Sequence, residues 1–286
     1  MSNHISSSAP TIISNKRSFS FATLRELWQY RDLIRVFVYR DLVSIYKQTV
    51  LGPFWFVIQP IITTLTFTII FEKVAKLPTE GIPSMLFYMS GIIFWSYFAE
   101  CLTKISNTFV QNANLFSKVY FPRLVVPISQ IISNFIKFSI QFGLFTILYL
   151  FMFPGSERAS TYNALNLLLL PVVLFAFALL SFSLGLIVSS ITIKYRDVAF
   201  LIQFGIQLLM YGSAVIYPIT TVPEKYRIFI ELNPLTGIFE TVRFTLFGTP
   251  MPDLWVLLYS VGFTLISTLF AISLFSKVEK NSMDIV

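Results

Sequence analysis

Three ionisable side chains stand inside otherwise apolar stretches of this 286-residue chain: Glu100, Lys104 and Lys137. A charge in lipid is expensive, so such groups are the first suspects for function. Glu100 and Lys104 are four residues apart, the spacing that places them on one helix face and lets them pair. Lys137, two to three turns into the following apolar stretch, is long enough to snorkel or to reach Glu100. This trio reads as a structural salt link ahead of a proton relay. The stretches hold no carboxylate pair, which argues against a glycosidase-like site and an ion-coupled relay.

Other chemistry is scarce. None of the 11 glycines is followed by lysine, so no phosphate-binding P-loop is present. The single histidine is His4, near the start, which excludes an HExxH zinc site and makes a histidine-based triad implausible. Cys101 is the only cysteine and has no partner within the chain. If the protein does work, the energy must come from another subunit. The remaining distinctive groups are aromatic: 31 Phe, 13 Tyr and 4 Trp. Most Phe must face lipid or a core. The clusters Phe54-Trp55-Phe56 and Phe94-Trp95-Ser96-Tyr97-Phe98 carry polar tips on apolar rings, which suits a sugar- or lipid-contacting wall as well as an interface belt.

The elements that hold these residues are set by composition. Hydrophobic residues make up 55% of the chain and charged residues 12%, against about 25% charged in an ordinary soluble domain. Mean hydropathy is +0.73. Too few polar groups exist to cover a water-facing surface, so soluble globular and disordered classes are excluded. The apolar runs are unbroken rather than alternating, which excludes a porin-like barrel. An all-α polytopic membrane protein remains. A crossing helix needs about 20 apolar residues, and six are predicted: 52–72, 83–104, 127–152, 164–192, 198–217 and 253–275. Lys and Arg are biased to one side, 14 against 6 with Lys137 inside a span. That bias puts both termini in the cytoplasm, and anionic lipid of the inner leaflet accounts for the net charge of +7. Residues 1–22 read as a disordered Ser/Asn-rich tail without a signal-peptide core. Residues 23–286 read as one transmembrane domain.

Before the first span, Thr23-Leu24-Arg25-Glu26 forms a capping box. Leu24, Leu27, Trp28, Ile34, Val38, Leu42 and Ile45 then recur at helical spacing, opposite Arg25, Arg31, Asp32, Arg35 and Lys47. This predicts an interfacial amphipathic helix over 23–47, either an anchor or a docking surface. The loop 105–123 carries Leu115, Phe116, Val119, Tyr120 and Phe121 among amides, apolar groups that mark a contact surface or pack on the membrane. Pro122 ends it. Residues 218–252 are too polar for a free span and are broken by five prolines, which predicts short helices dipping back toward the bilayer. Ser181, Gly185 and Ser189 form a small-residue stripe for close packing.

Several stretches, taken together, are specific to one family. They are Leu27-Trp28-Gln29-Tyr30-Arg31-Asp32-Leu33-Ile34, Arg40-Asp41-Leu42, Tyr46-Lys47-Gln48-Thr49-Val50-Leu51-Gly52-Pro53-Phe54-Trp55, Lys118-Val119-Tyr120-Phe121-Pro122-Arg123, Lys194-Tyr195-Arg196-Asp197, Asn233-Pro234-Leu235-Thr236 and Val278-Glu279-Lys280-Asn281-Ser282-Met283-Asp284. In this order the chain resembles, over about 24–286, the membrane subunits of type-two ATP-binding-cassette exporters, specifically the permeases for O-antigen and related polysaccharides. The resemblance implies a bacterial inner-membrane permease without catalysis or cofactor of its own. It implies a homodimer that binds two copies of an ATPase subunit, which holds ATP and Mg. It shifts the amphipathic helix and the loop toward docking, with Trp28, Arg31, Asp32, Arg35, Asn114, Leu115, Phe116, Lys118, Tyr120, Phe121 and Arg123 as the expected contacts. Re-entrant helices map to about Asn233–Phe247. The implied cargo is an undecaprenyl-linked glycan moved outward between two permeases, with Trp55, Phe56, Trp95, Tyr97 and Phe98 as candidates to line the channel. Teichoic acid, capsule and small-molecule exporters share this architecture. A polytopic glycosyl- or acyltransferase would need clustered acids or a histidine at the membrane surface, and none is evident.

Overall fold

The computed structural model describes residues 27–47, 51–156, 159, 162–195 and 197–281. The capping box at Thr23 and the tail lie outside the described residues. Among the described residues every regular element is helical.

Helix α1 (Arg31–Lys47) follows a helical turn at 27–29. Leu27 and Phe37 are buried, and Tyr30, Leu33 and Ile34 pack on the core. Trp28, Arg31, Asp32, Arg35 and Tyr39 recur at i, i+3, i+4, i+7 and i+11 and all are exposed. Trp28, expected in the apolar row, is therefore on the opposite face, 70% exposed with the Arg31 guanidinium 5.7 Å from its ring.

The first span, Gly52–Val74, is a 3-10 turn, then α2 (Trp55–Phe67), then a π-helical end. Helix α3 (Ser84–Ser106) is the axis of the bundle and packs against α2 and the helices that follow. Two single-turn helices, α4 (Thr108–Gln111) and α5 (Ala113–Phe116), form the loop before α6 (Val125–Met152). A 3-10 segment, Ala164–Leu169, leads into α7 (Leu170–Thr192). After α8 (Val198–Tyr211) come α9 (Glu224–Glu231), α10 (Pro234–Phe247) and the long α11 (Leu254–Asn281).

Among the described residues five helices are long and apolar enough to cross a membrane. The fifth predicted span, 198–217, is instead the 14-residue α8. It stops because the Asn233 amide donates to the Gly212 carbonyl at 3.0 Å and to Ser213 Oγ at 2.8 Å. That tertiary hold turns the chain where an isolated helix would have continued.

Lipid is as apolar as leucine, so helices associate through close packing and hydrogen bonds rather than by leaving water. Both are present. A Cβ on Gly185 would sit 2.7 Å from the Ile105 side chain, and Thr192 Oγ1 donates to the Ser106 carbonyl at 3.1 Å. Edge-on rings lock the centre: Phe94 lies 5.1 Å from Phe138 and Phe177 lies 4.9 Å from Phe239. The aromatic run on α3 is this core. Phe98 is 0% exposed, and Trp95, Tyr97 and Phe56 are buried too. Trp95, Tyr97 and Phe98 lie on the central helix α3 and Phe56 on α2, and all four pack within the protomer. Of the five channel candidates only Trp55 is exposed, at 45%.

Candidate functional site

Two surfaces and one buried seam carry the polar chemistry. The first surface is at the end of the bundle that holds α1 and the end of α11. Beside the exposed face of α1, the loop 107–123 presents Asn114, Lys118, Val119 and Tyr120 to solvent, with Tyr120 66% exposed. Leu115 and Phe116 are half-buried and pack on the core. Phe121 is buried, 5% exposed, because its ring meets Phe37 of α1 at 5.7 Å and Phe116 at 5.6 Å. It braces the loop rather than facing outward. Arg123 does similar work. Its guanidinium lies over the rings of Phe109 and Phe116 at 5.6 and 5.5 Å, and Phe109 meets Phe275 of α11 at 5.0 Å. Burial lowers the Arg123 pKa from its ordinary value and the Glu279 carboxylate raises it. The water-facing set is thus Trp28, Arg31, Asp32, Arg35, Asn114, Lys118 and Tyr120, fixed from behind by an aromatic cluster.

The seam runs between α3 and α6, which are antiparallel neighbours. Thr108 Oγ1 donates to Gln130 Oε1 at 3.4 Å, Lys104 Nζ to Asn134 Oδ1 at 2.7 Å, and Lys137 Nζ pairs with Glu100. Ser96, Tyr97 and Gln141 line the same cleft one turn further on. Residue numbers rise on one helix as they fall on the other, so the contacts form a ladder with one rung per turn. Glu100 pairs with Lys137, one of the two partners expected from sequence, while Lys104 turns to Asn134. Sequence reasoning missed Gln130, Asn134 and Gln141. The signal was there: these amides fall in step with Lys137 in an apolar span, but neutral amides do not stand out in a search for charge.

The second surface is at the far end. Asn233 caps α10, its Oδ1 accepting from the Leu235 N–H at 3.0 Å. Arg243, fully buried, donates to Glu240 Oε1 at 2.8 Å, to the Tyr217 carbonyl at 3.1 Å and to the Val215 carbonyl at 3.2 Å. The Phe87 ring lies 4.3 Å from its guanidinium. A Cβ on Gly237 would collide with Ser260 Oγ. Helix α10 is therefore seated on the starts of α3 and α11, as a short helix dipping into the bundle.

A family profile described as ABC-2 type transporter matches residues 32–247. The chain belongs to the ABC-2 type transporter family. It is a multi-pass membrane protein and the transport subunit of an ATP-binding-cassette system, working with an ATPase partner. Among its relatives is an O-antigen export system permease protein RfbA of Klebsiella pneumoniae, 27% identical over 257 residues, which cover 89% of this chain and 95% of that one. An RfbA of Myxococcus xanthus is 24% identical over 80% of this chain and 86% of its own length. The polysialic acid transport protein KpsM of Escherichia coli is 23% identical over 80% and 87%.

Proposed function

We propose that the protein exports a lipid-linked, O-antigen-type polysaccharide across a bacterial inner membrane. Two copies form the pathway, both termini face the cytoplasm, and two ATPase subunits supply the energy. ATP and Mg are held by those subunits, and this chain performs no catalysis. The observation that carries the reading is the exposed α1 face beside the exposed loop. Trp28, Arg31, Asp32, Arg35, Asn114, Lys118 and Tyr120 form a mixed apolar and charged patch, the composition of an interface core and rim. Its rigid backing by Phe37, Phe116 and Phe121 suits a surface that must carry force. The polysaccharide permeases among the relatives support the cargo class, and the lysine and arginine bias supports the orientation.

The test is co-purification of the ATPase with the full-length chain from membranes. Arg31→Glu with Arg35→Glu reverses two exposed charges; it removes the Arg31–Trp28 contact and the surface Arg35–Asp32 pair but no buried packing. The double variant is expected to lose at least ten-fold of the bound ATPase and to stop surface polysaccharide, while remaining folded in the membrane. Undiminished ATPase binding by that variant and by Trp28→Ala would overturn the docking assignment.

A further inference from the structure

The first span does not finish as an α-helix. From Thr68 to Val74 its ladder slips to π-helical bonding, with the Ala75 N–H donating to the Ile70 carbonyl at 2.9 Å. None of these seven residues is buried. In the loop that follows, Lys76 and Glu80 both hold positive φ, at 53° and 55°. Residues with a Cβ avoid that region, and they stay in it only where their surroundings force them to. Phe71 of the same segment lies 6.1 Å from the ring of Tyr88 on α3. The Tyr88 hydroxyl is buried and has no hydrogen-bond partner among the described residues. A wide-wound helix end, two left-handed residues and an unsatisfied hydroxyl thus gather at one place, each a cost to the folded chain.

This loop is tied across to the turn before α9. Thr220 Oγ1 donates to Glu80 Oε1 at 2.6 Å, and the Glu80 carboxylate is within electrostatic reach of the Arg243 guanidinium. The far side of the tie is rigid. Arg243 holds the Val215 and Tyr217 carbonyls, so the turn that carries Thr220 moves with α10. Helix α10 is itself pinned at both ends. Asn233 caps its start, and the hydroxyls of Tyr149 and Tyr162 donate to the Leu246 and Thr245 carbonyls at its end, at 2.7 and 2.9 Å. The lightly packed end of the first span is therefore the side free to move. We infer that the Glu80–Thr220 bond is a clasp that holds this end in a strained winding against a fixed α10, and that transport requires it to open. On opening, the ladder at 68–74 returns to α-helical bonding. That turns the residues beyond it by about 100°, one residue's rotation, and carries the loop off α10. Strain favours the open form and the clasp favours the closed one, which makes the segment a two-state element that the rest of the bundle can tip. The inference needs a working permease and no particular cargo.

Bridging in the full-length chain tests the clasp. Glu80→Cys with Thr220→Cys places two thiols at the bond, and Cys101, 0% exposed, stays silent. In cells, 1,2-ethanediyl bismethanethiosulfonate should join them and cut surface polysaccharide at least five-fold, and dithiothreitol should restore it. Undiminished export by the bridged protein overturns the inference, as does failure of the bridge to form. So does a reversible loss of equal size in either single-cysteine variant. Hydrogen exchange of the chain in lipid nanodiscs is the second arm. Thr220→Val removes the donor at an exposed site. Amides of 68–80 should then exchange at least five-fold faster than in the parent, and those of 86–95, buried on α3, at the parental rate. Unchanged exchange at 68–80, or equal acceleration at 86–95, overturns the inference. A parent that puts no polysaccharide on the surface counts against the export reading instead, and exchange still decides whether the clasp holds the span.

Discussion

The backbone N–H of Arg123 donates to Glu279 Oε1 at 3.2 Å, joining residues 156 apart in sequence. One lies at the end of the exposed loop and the other in the last turns of α11. With the Phe109–Phe275 contact, this bond ties the loop to a helix whose other end touches α10 at Ser260 and Val256. A charge-assisted bond of this kind contributes about 1.5–3 kcal/mol when well buried. Glu279 is half-buried, so Glu279→Ala should cost about 1 kcal/mol. It is expected to lower the thermal midpoint of the solubilised protein and to weaken export more than ATPase binding. A variant with unchanged midpoint and unchanged export would refute the link.

The ion pair between Lys137 and Glu100 makes single changes worse than paired ones. Lys137→Met leaves a carboxylate without its cation inside the span, at a cost of about 2 kcal/mol for this partly open site. Adding Glu100→Gln removes the stranded charge and should recover about half of that loss. Thermal midpoints of the two single variants and the double one measure the coupling. Additive losses would show that the two groups act independently.

Glycine positions differ sharply in what they tolerate. A Cβ at Gly91 would lie 2.8 Å from the Val215 carbonyl oxygen, a backbone atom that cannot turn aside. Gly91→Ala should therefore destabilise by about 1–3 kcal/mol. At Gly143 nothing lies within 4 Å, so Gly143→Ala should change stability by less than about 0.5 kcal/mol or raise it through helix propensity. The midpoint difference between the two variants is the readout. Equal tolerance would contradict the close approach of α3 to the turn after α8.

Arg243 holds one carboxylate and two main-chain carbonyls with one planar group. Lysine keeps the charge but offers no fork. Arg243→Lys should leave at least one buried carbonyl without a donor and cost about 2–4 kcal/mol. Limited proteolysis within 212–233 should accelerate, since that stretch is anchored by these bonds. Wild-type protection in the lysine variant would mean that charge alone suffices.

Five of the six predicted spans were legible in the sequence because charge-free runs of the required length occur in little besides membrane-crossing helices. The Glu100–Lys137 link was legible too, since three charges in a membrane segment offer few pairings. Other features were hidden for physical reasons. The aromatic run at 94–98 reads the same on a central helix as on a channel wall, and only the neighbours of α3 decide. Trp28 looked like one of the apolar row until the helix phase put it beside Arg31 and Arg35. The end of α8 depends on Asn233, more than twenty residues away, which no local signal reveals. In the loop beside α1, Phe121 and Tyr120 are adjacent aromatics, yet one is a brace and the other is exposed.

The brevity of α8 has a consequence for the surrounding lipid. Fourteen residues rise about 21 Å, well under the roughly 30 Å of a typical acyl-chain layer. The chain continues into the turn at 212–217, where the Gly212, Val215 and Tyr217 carbonyls are taken up by Asn233 and Arg243. A helix this short matches a thin acyl layer better than a thick one, so bilayers of longer chains are expected to load the corner that seats α10, and a lower thermal midpoint in longer-chain nanodiscs would show it.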